Sequence, residues 1–370
     1  MKKIDKSGML AHCLKTAEYC QDAISRAGKI EIPKKVNISK KRTVEYKKPQ
    51  HIIIAGMGGS AIGGEILRDW LQDEISISIN VCNDYNLPAY TNEHSLVFAV
   101  SYSGETEEAL NAFIDAIRRK CMVIAVTSGG HLLSLAKKLQ LPYVIIPAGL
   151  SPRAALPYLF FPLPVFMEKM DVLTGKRSEI EETIRVIKTV IEENSPQIPV
   201  KNNFSKKLAF QLKDSVPVIY GFRQYNAIAH RLKTQFNENS KVPSRYEVFP
   251  ELNHNEVVGW EASEDLTKTF SVLLIRDHNE PYEISNRIEA TKSIALRRAA
   301  RVIEIHAKGE GKLAKMFSIL HLGDFISVYL AILRNVDPVP VKTIDEIKMA
   351  MKKKSNTIEK VKKEIQKMTS

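Results

Sequence analysis

The run Gly56-Met57-Gly58-Gly59-Ser60-Ala61-Ile62-Gly63-Gly64 lies between an apolar stretch, residues 51–55, and a helical pattern over residues 65–70. Glycines let a backbone turn sharply and approach a ligand, and the first N–H groups of the following helix point at negative charge. A second loop, Ser101-Tyr102-Ser103-Gly104-Glu105-Thr106, follows the apolar run at 95–100 and opens another helical pattern. Two hydroxyl- and glycine-rich loops at the carboxyl ends of parallel strands point to a phosphorylated ligand. The spacing is not that of a dinucleotide fingerprint, and the Lys-Ser/Thr ending of a nucleotide P-loop is missing. Taken singly, the first loop is also what a tight strand-to-helix turn requires, and the second what a hydroxyl-rich helix cap requires.

The second half carries a different constellation: Phe236-Asn237-Glu238-Asn239-Ser240-Lys241 at a helix end, then Pro250-Glu251-Leu252-Asn253-His254-Asn255-Glu256. Amides flanking an acid and a histidine suit a place where hydrogen bonds must fix charges and tautomers. A solvated helix-end carboxylate and a loop histidine bonded to a carbonyl would leave the same sequence trace. The cysteines, Cys13, Cys20, Cys82 and Cys121, show no zinc-type pairing and read as small core or surface residues of a reducing compartment.

Positioning these residues requires two sets of alternating elements. After an amphipathic helix at 11–27 and a polar basic stretch to residue 50, strand-like runs at 51–55, 75–82, 95–100, 121–127 and 142–146 alternate with helical patterns near 61–73, 106–120, 131–140 and 154–168. Near-continuous apolar strands of this kind form a parallel sheet buried on both faces. A charged helical segment follows residue 178, and then strands at 216–221, 245–249, 269–276 and 302–306 alternate with helices near 225–238, 283–298 and 311–334. The expected fold is α/β, with two domains of one type: residues 1–168, an N-terminal segment plus the first domain; 169–200, a helical connector; 201–342, the second domain; and 343–370, a C-terminal helix with a basic tail.

The net charge of +12 suggests nucleic acid until it is located. Its excess sits in the first fifty residues and after residue 351, with no interleaved aromatics for base stacking, so solvated lysine-rich ends are expected and no nucleic acid. No segment approaches a membrane span, and the start Met1-Lys2-Lys3-Ile4 lacks a signal-peptide core, which predicts a cytoplasmic protein without a membrane partner.

Together these residues resemble the bifunctional phosphoglucose/phosphomannose isomerases, built from two flavodoxin-like sugar isomerase (SIS) domains, each a parallel sheet flanked by helices. The landmarks are the glycine loop at 56–64, Asp84-Tyr85 with Leu87-Pro88, the loop at 101–107, Pro152-Arg153 with Pro157-Tyr158, Asn237-Glu238-Asn239-Ser240, the segment at 251–256 with Gly259-Trp260, and Asp337-Pro338-Val339-Pro340-Val341, all in family order. The resemblance implies an isomerase that needs no cofactor and no metal, acting on a sugar phosphate through ring opening and a cis-enediol. It implies Ser101, Ser103 and Thr106 on the phosphate and Gly58, Gly59 and Ser60 along the sugar. Arg153 would lie beside the reacting carbons, Glu238 would be the base, and His254 with Lys348 would open the ring. It also implies a homodimer in which His254 reaches the partner's site. By their surroundings in the sequence alone, Arg153 also reads as a surface arginine and Lys348 as one of several solvent-facing lysines. Two other classes share the domain, a fructose 6-phosphate aminotransferase and a non-catalytic sugar-phosphate-binding regulator. Against the first, Cys13 lies inside a helix rather than at the head of a nucleophile domain. Against the second, a regulator has no reason to keep Glu238, His254 and Arg153, and the first fifty residues show no helix-turn-helix.

Overall fold

The computed structural model describes residues 1, 3–40, 42–354, 359, 361, 363, 364 and 366; the rest of the expected basic tail, and the side chains of Lys352, Lys353 and Lys354, lie outside them. The chain forms two compact units, one of residues 18–176 with 341–370 and the other of residues 1–17 with 177–340.

The first unit begins within helix Thr16–Gly28, followed by a hairpin of β1 (Lys35–Ser39) and β2 (Arg42–Glu45). It continues into a sheet of β3 (His51–Ala55), β4 (Ser78–Cys82), β5 (Ser95–Val100), β6 (Met122–Thr127) and β7 (Tyr143–Ile145). The spatial order is β4-β3-β5-β6-β7 and every pair is parallel. β5 and β6 are buried at every position, which is why they read as unbroken apolar runs rather than alternating ones. Helix Glu107–Arg118 shows the flanking logic: Ala109, Leu110, Phe113 and Ile117 form the buried stripe, with acids in its first turn and Arg118 in its last to suit the helix dipole. The helix expected at 154–168 is broken into Leu156–Phe160 and Pro162–Lys169, because Pro162 has no N–H to continue the first.

The polar basic stretch up to residue 50, to which the sequence assigned no strand, contains this hairpin. Only Val36, Ile38 and Val44 in these two strands are buried, so the period-two signal is carried by three residues among charges. The tertiary anchor is Tyr46, whose hydroxyl donates to the carbonyl of Val123 at 2.7 Å.

The second unit contains β8 (Val216–Phe222), β9 (Arg245–Phe249), β10 (Phe270–Arg276) and β11 (Arg301–His306), all parallel in the order β11-β10-β8-β9. Counted along the chain, both sheets place the second strand outside the first and the third on its other side, the flavodoxin-like arrangement. A glycine device repeats as well. A Cβ on Gly56 would lie 3.2 Å from the carbonyl oxygen of Ser60, and one on Gly221 would lie 2.7 Å from that of Tyr225, four residues on in each case.

Helix Lys312–Leu333 is the core of this unit. Residues 313–331 are buried without a gap, so the helix has no solvent-facing stripe and shows no amphipathic pattern. Contrary to the sequence expectation, it is long and apolar enough to pass as a membrane span by length and composition, but 83% of its apolar window is buried inside the protein. Its N-terminus is capped from another helix, as Glu179 accepts from Leu313 N at 2.9 Å and Glu182 from Gly311 N at 3.1 Å. Helix Arg177–Asn194, expected as a connector, therefore belongs to the second unit's helical layer, and Tyr329 Oη donates to Asn194 O at 2.6 Å. Helix Met9–Leu14, whose first N–H groups bond to Asp5 at 2.8 and 2.9 Å, joins the same unit, while the C-terminal helix Lys342–Lys354 joins the first. The two chain ends thus pack with the units farther from them in sequence.

Candidate functional site

In the first unit the strand order reverses between β3 and β5, and the two sequence-flagged loops are the ones that follow these strands. Ligands of open α/β sheets bind in this crevice. The loops are joined to each other, since Ser60 Oγ accepts from Tyr102 N at 3.3 Å. Within the second loop, Ser101 is 1% exposed and its hydroxyl is committed to scaffolding: it accepts from Gly104 N at 3.1 Å and donates to Thr106 Oγ1 at 3.0 Å. Ser103 is exposed and Thr106 half-exposed at the head of helix Glu107–Arg118. These two hydroxyls, together with the first-turn N–H groups, are the groups available to an anion.

A cavity of about 660 Å³ opens over this loop, in the size range of small-ligand sites. Ser103, Thr106 and Lys348 line it, so helix Lys342–Lys354 brings a cation from the far end of the chain to the phosphate-type loop. Glu105, Glu107 and Glu108 line it too, and carboxylates accept hydrogen bonds from hydroxyl-rich molecules. Glu105 is fixed by His131, whose backbone N–H and Nδ1 lie 2.9 and 2.6 Å from its two oxygens. Sequence reading missed both Glu105 and His131, because a pair twenty-six residues apart leaves no local pattern.

Arg153 is 3% exposed rather than a surface residue. Its segment abuts the glycine loop so closely that a Cβ on Gly59 would stand 3.1 Å from the Pro152 carbonyl and 3.2 Å from Arg153 N. Tyr102 holds the approach to this segment, donating to Pro147 O at 3.0 Å and accepting from Leu150 N at 2.7 Å.

Glu238 and His254 belong to the second unit. Helix Asn226–Gln235 widens into a π-helical turn, Phe236–Ser240, stopped by Lys241 in a left-handed conformation at φ 54°. The expected helix to 238 is therefore α-helical only to Gln235. Asn239 and Ser240 are fully buried, while Asn237 and Glu238 are half-exposed. The flanking amides do fix the backbone: Asn237 Oδ1 accepts from Ser244 N at 2.9 Å, and Asn239 Nδ2 donates to Ser327 Oγ at 2.9 Å. Lys241 Nζ donates to the carbonyls of Glu238 and Pro338.

His254 is exposed at the end of the turn Glu251–His254. The segment around it is tied down by its neighbours rather than by the histidine. Asn255 Nδ2 donates to Glu251 at 2.8 Å, and Glu256 accepts from Tyr220 Oη at 2.9 Å and pairs with Arg245 at 3.0 Å. Trp260 Nε1 donates to the same Tyr220 oxygen at 2.8 Å.

The second sheet has its own switch point, between β8 and β10, but it carries different chemistry. Where Ser101 follows β5, Asp277 follows β10, and this buried carboxylate takes Tyr225 Oη at 2.6 Å, Asn279 N at 3.0 Å and Lys315 Nζ at 3.0 Å. Burial pushes the Asp277 carboxyl up, but these donors outweigh it and hold the group below the ordinary carboxylate range. The buried carboxylate and the Lys315 ammonium are committed to each other there, so the second switch point is an internal ion-pair lock. Among the described residues, no group of three or more His, Cys, Asp or Glu side chains could hold a metal ion.

Comparison with known proteins adds independent support. Residues 201–351 match the model of the bacterial phospho-glucose isomerase C-terminal SIS domain. A bifunctional phosphoglucose/phosphomannose isomerase of Caldicellulosiruptor bescii is 40% identical over 321 residues, which cover 86% of this chain and 95% of the relative. The chain belongs to the bifunctional phosphoglucose/phosphomannose isomerase family. An Aquifex aeolicus member is 36% identical, covering 82% of this chain and 90% of its own. The fold is shared more widely. The C-terminal domain of glucosamine-fructose-6-phosphate aminotransferase from Francisella tularensis superposes with a TM-score of 0.66 over 90% of this chain and 98% of that one, at 15% identity. The two-SIS-domain architecture and the isomerase family expected from the sequence are both found.

Proposed function

We propose that this family member interconverts glucose 6-phosphate and mannose 6-phosphate with fructose 6-phosphate, without a metal. The observation that carries the reading is the cavity that the exposed Ser103, Thr106 at a helix N-terminus and Lys348 line together, a seat for a phosphate attached to a polyhydroxylated body. The relatives named as isomerases resemble the chain over most of its length, whereas likeness to the aminotransferase domain is one of fold.

In this reading Ser103 and Thr106 bind the phosphate, with Ser101 shaping their loop, and Gly58, Gly59 and Ser60 let the sugar approach the backbone. His254 and Lys348 open the ring by moving a proton from the C1 hydroxyl to the ring oxygen. Glu238 removes the proton from C2 and returns it to C1, while the hydroxyl proton moves from O2 to O1 through the cis-enediol. Arg153 opposes the charge that develops on those oxygens. A carboxylate suffices for this transfer, which is why no Lewis acid is required. The active species is a homodimer in which His254 serves the neighbouring copy's site, a reading favoured by its exposure beside the exposed apolar Val258.

A coupled assay on both aldose phosphates with chelator present tests the proposal. Activity on both is expected to survive, and Glu238→Gln should abolish turnover together with solvent-deuterium exchange at C2. Loss of activity with EDTA that zinc restores, or exchange persisting in Glu238→Gln, would overturn the mechanism.

A further inference from the structure

The turn that carries Glu238 is held from one side by three successive layers of helix Lys312–Leu333. In the first layer the helices nearly touch, since a Cβ on Gly323 would lie 2.6 Å from Leu232 Cγ. In the second, a single oxygen of Asp324 takes both Arg231 Nη2 at 3.2 Å and Gln235 Nε2 at 2.6 Å, just before the helix widens. Burial pushes the Asp324 carboxyl up, but Arg231, His321 and Gln235 hold it low, so it stays an acceptor.

In the third layer Ser327 takes hold of the turn itself. Its Oγ accepts from Asn239 Nδ2 at 2.9 Å while donating to Asp324 O at 2.8 Å, and its carbonyl accepts from Ser240 Oγ at 2.7 Å. Asn239, Ser240 and Ser327 are all 0% exposed, so none of these bonds has water to replace it. The hydrogen bonds therefore bracket Glu238, with Gln235 before it and Asn239 and Ser240 after it. A π-helical turn exchanges the i→i+4 bonds of the α-helix for wider i→i+5 bonds and so re-aims the side chains it carries. The buried clamps hold that direction.

We propose that Asp324 and Ser327 are positioning residues for the isomerisation, setting the direction of Glu238 through buried hydrogen bonds to Gln235, Asn239 and Ser240. The inference rests on the reading of Glu238 as the base. It predicts an effect on the proton transfer and not on the affinity for substrate, because the bonds of the clamp run to the turn that carries Glu238 and not to a group read here as binding phosphate.

The test uses the full-length enzyme with Ser327→Ala, Gln235→Met and Glu238→Gln assayed side by side. Ser327→Ala should lower kcat by about 10- to 100-fold, the loss expected when a reacting group is misplaced by about 1 Å, with KM within about threefold. Solvent-deuterium exchange at C2 should fall in parallel with kcat. Gln235→Met, which removes the donor and keeps the bulk, should show the same split to a smaller degree and decides the matter alone if Ser327→Ala does not fold. Wild-type kcat in both variants, with only a lower Tm, overturns the positioning role while Glu238→Gln remains inactive. An equal rise in KM overturns it too. A Glu238→Gln enzyme that still exchanges at C2 overturns the reading of Glu238, and the positioning role with it.

Discussion

Gly104→Ala isolates how the phosphate loop is held. At φ +69° an L-residue carries a strain of roughly 1–2 kcal/mol, and here the added Cβ would also stand 1.9 Å from the carbonyl oxygen of Gly129. A carbon–oxygen contact needs about 3.3 Å, so the two backbones must part by more than about 1 Å. That movement pulls on two hydrogen bonds, Gly104 N to Ser101 Oγ at 3.1 Å and Leu132 N to Gly104 O at 3.0 Å, each worth about 1 kcal/mol. The sum is a destabilisation of about 3–4 kcal/mol, and because Ser101 also bonds Thr106, the displaced groups include the phosphate seat. KM for the sugar phosphates should rise by about tenfold or more, equivalent to about 1.4 kcal/mol of lost binding. Gly175→Ala is the matched control. Gly175 has the same φ of +69° and nothing within 4 Å of its added Cβ, so it reports strain alone, with a loss of roughly 1–2 kcal/mol and unchanged KM. Initial-rate kinetics and calorimetric unfolding of both variants provide the comparison. A Gly104→Ala enzyme with the Tm of Gly175→Ala and wild-type KM would refute the reasoning.

Three further outcomes are expected. Asp277→Asn should destabilise the second unit by roughly 3–5 kcal/mol, because it leaves the buried Lys315 ammonium without its carboxylate; Trp260 fluorescence during urea unfolding in a Trp70→Phe background reports this unit, since the chain has only 2 tryptophans. As the folded Asp277 carboxyl is held below its ordinary value, its contribution is present above about pH 4 and is lost as pH falls through the lower folded value, so wild type and variant should converge only in acid. Replacing Ser103 and Thr106 together by alanine should weaken phosphorylated competitive inhibitors more than it lowers kcat, and an unchanged inhibition constant in a folded double variant rejects the loop as the phosphate seat. Tyr102→Phe leaves Leu150 N without its acceptor and should cost about 1–3 kcal/mol and some turnover through the loosened Arg153 segment, measured as Tm and kcat; wild-type values of both would show that the tether is idle.

Much of the site was legible locally. A glycine run after one apolar strand and a Ser-Tyr-Ser-Gly-Glu-Thr run after another announce strand-to-helix loops, because the turn needs glycine and the helix start needs hydroxyls within a few residues. The inner strands of both sheets, β3, β5, β6, β8 and β10, are visible because strands buried on both faces must be apolar at consecutive positions. The roles within the loop were not legible. Ser101 and Ser103 are two residues apart and chemically identical, yet one is sealed into the scaffold and the other faces outward.

What the sequence determined alone is the alternation of strands and helices, the two domains of one type and the ligand class suggested by their first loops, since each depends on contacts within a few residues. Only the tertiary structure decided where the ends of the chain go. It sends Lys348 of helix Lys342–Lys354 to the phosphate-type loop and helix Met9–Leu14 to the second unit, and it makes Lys312–Leu333 a core helix rather than a span. It also arms one switch point with hydroxyls and closes the other with Asp277 and Lys315. These outcomes depend on which distant groups become neighbours, and a buried charge or hydroxyl is stabilised by partners that local sequence does not name.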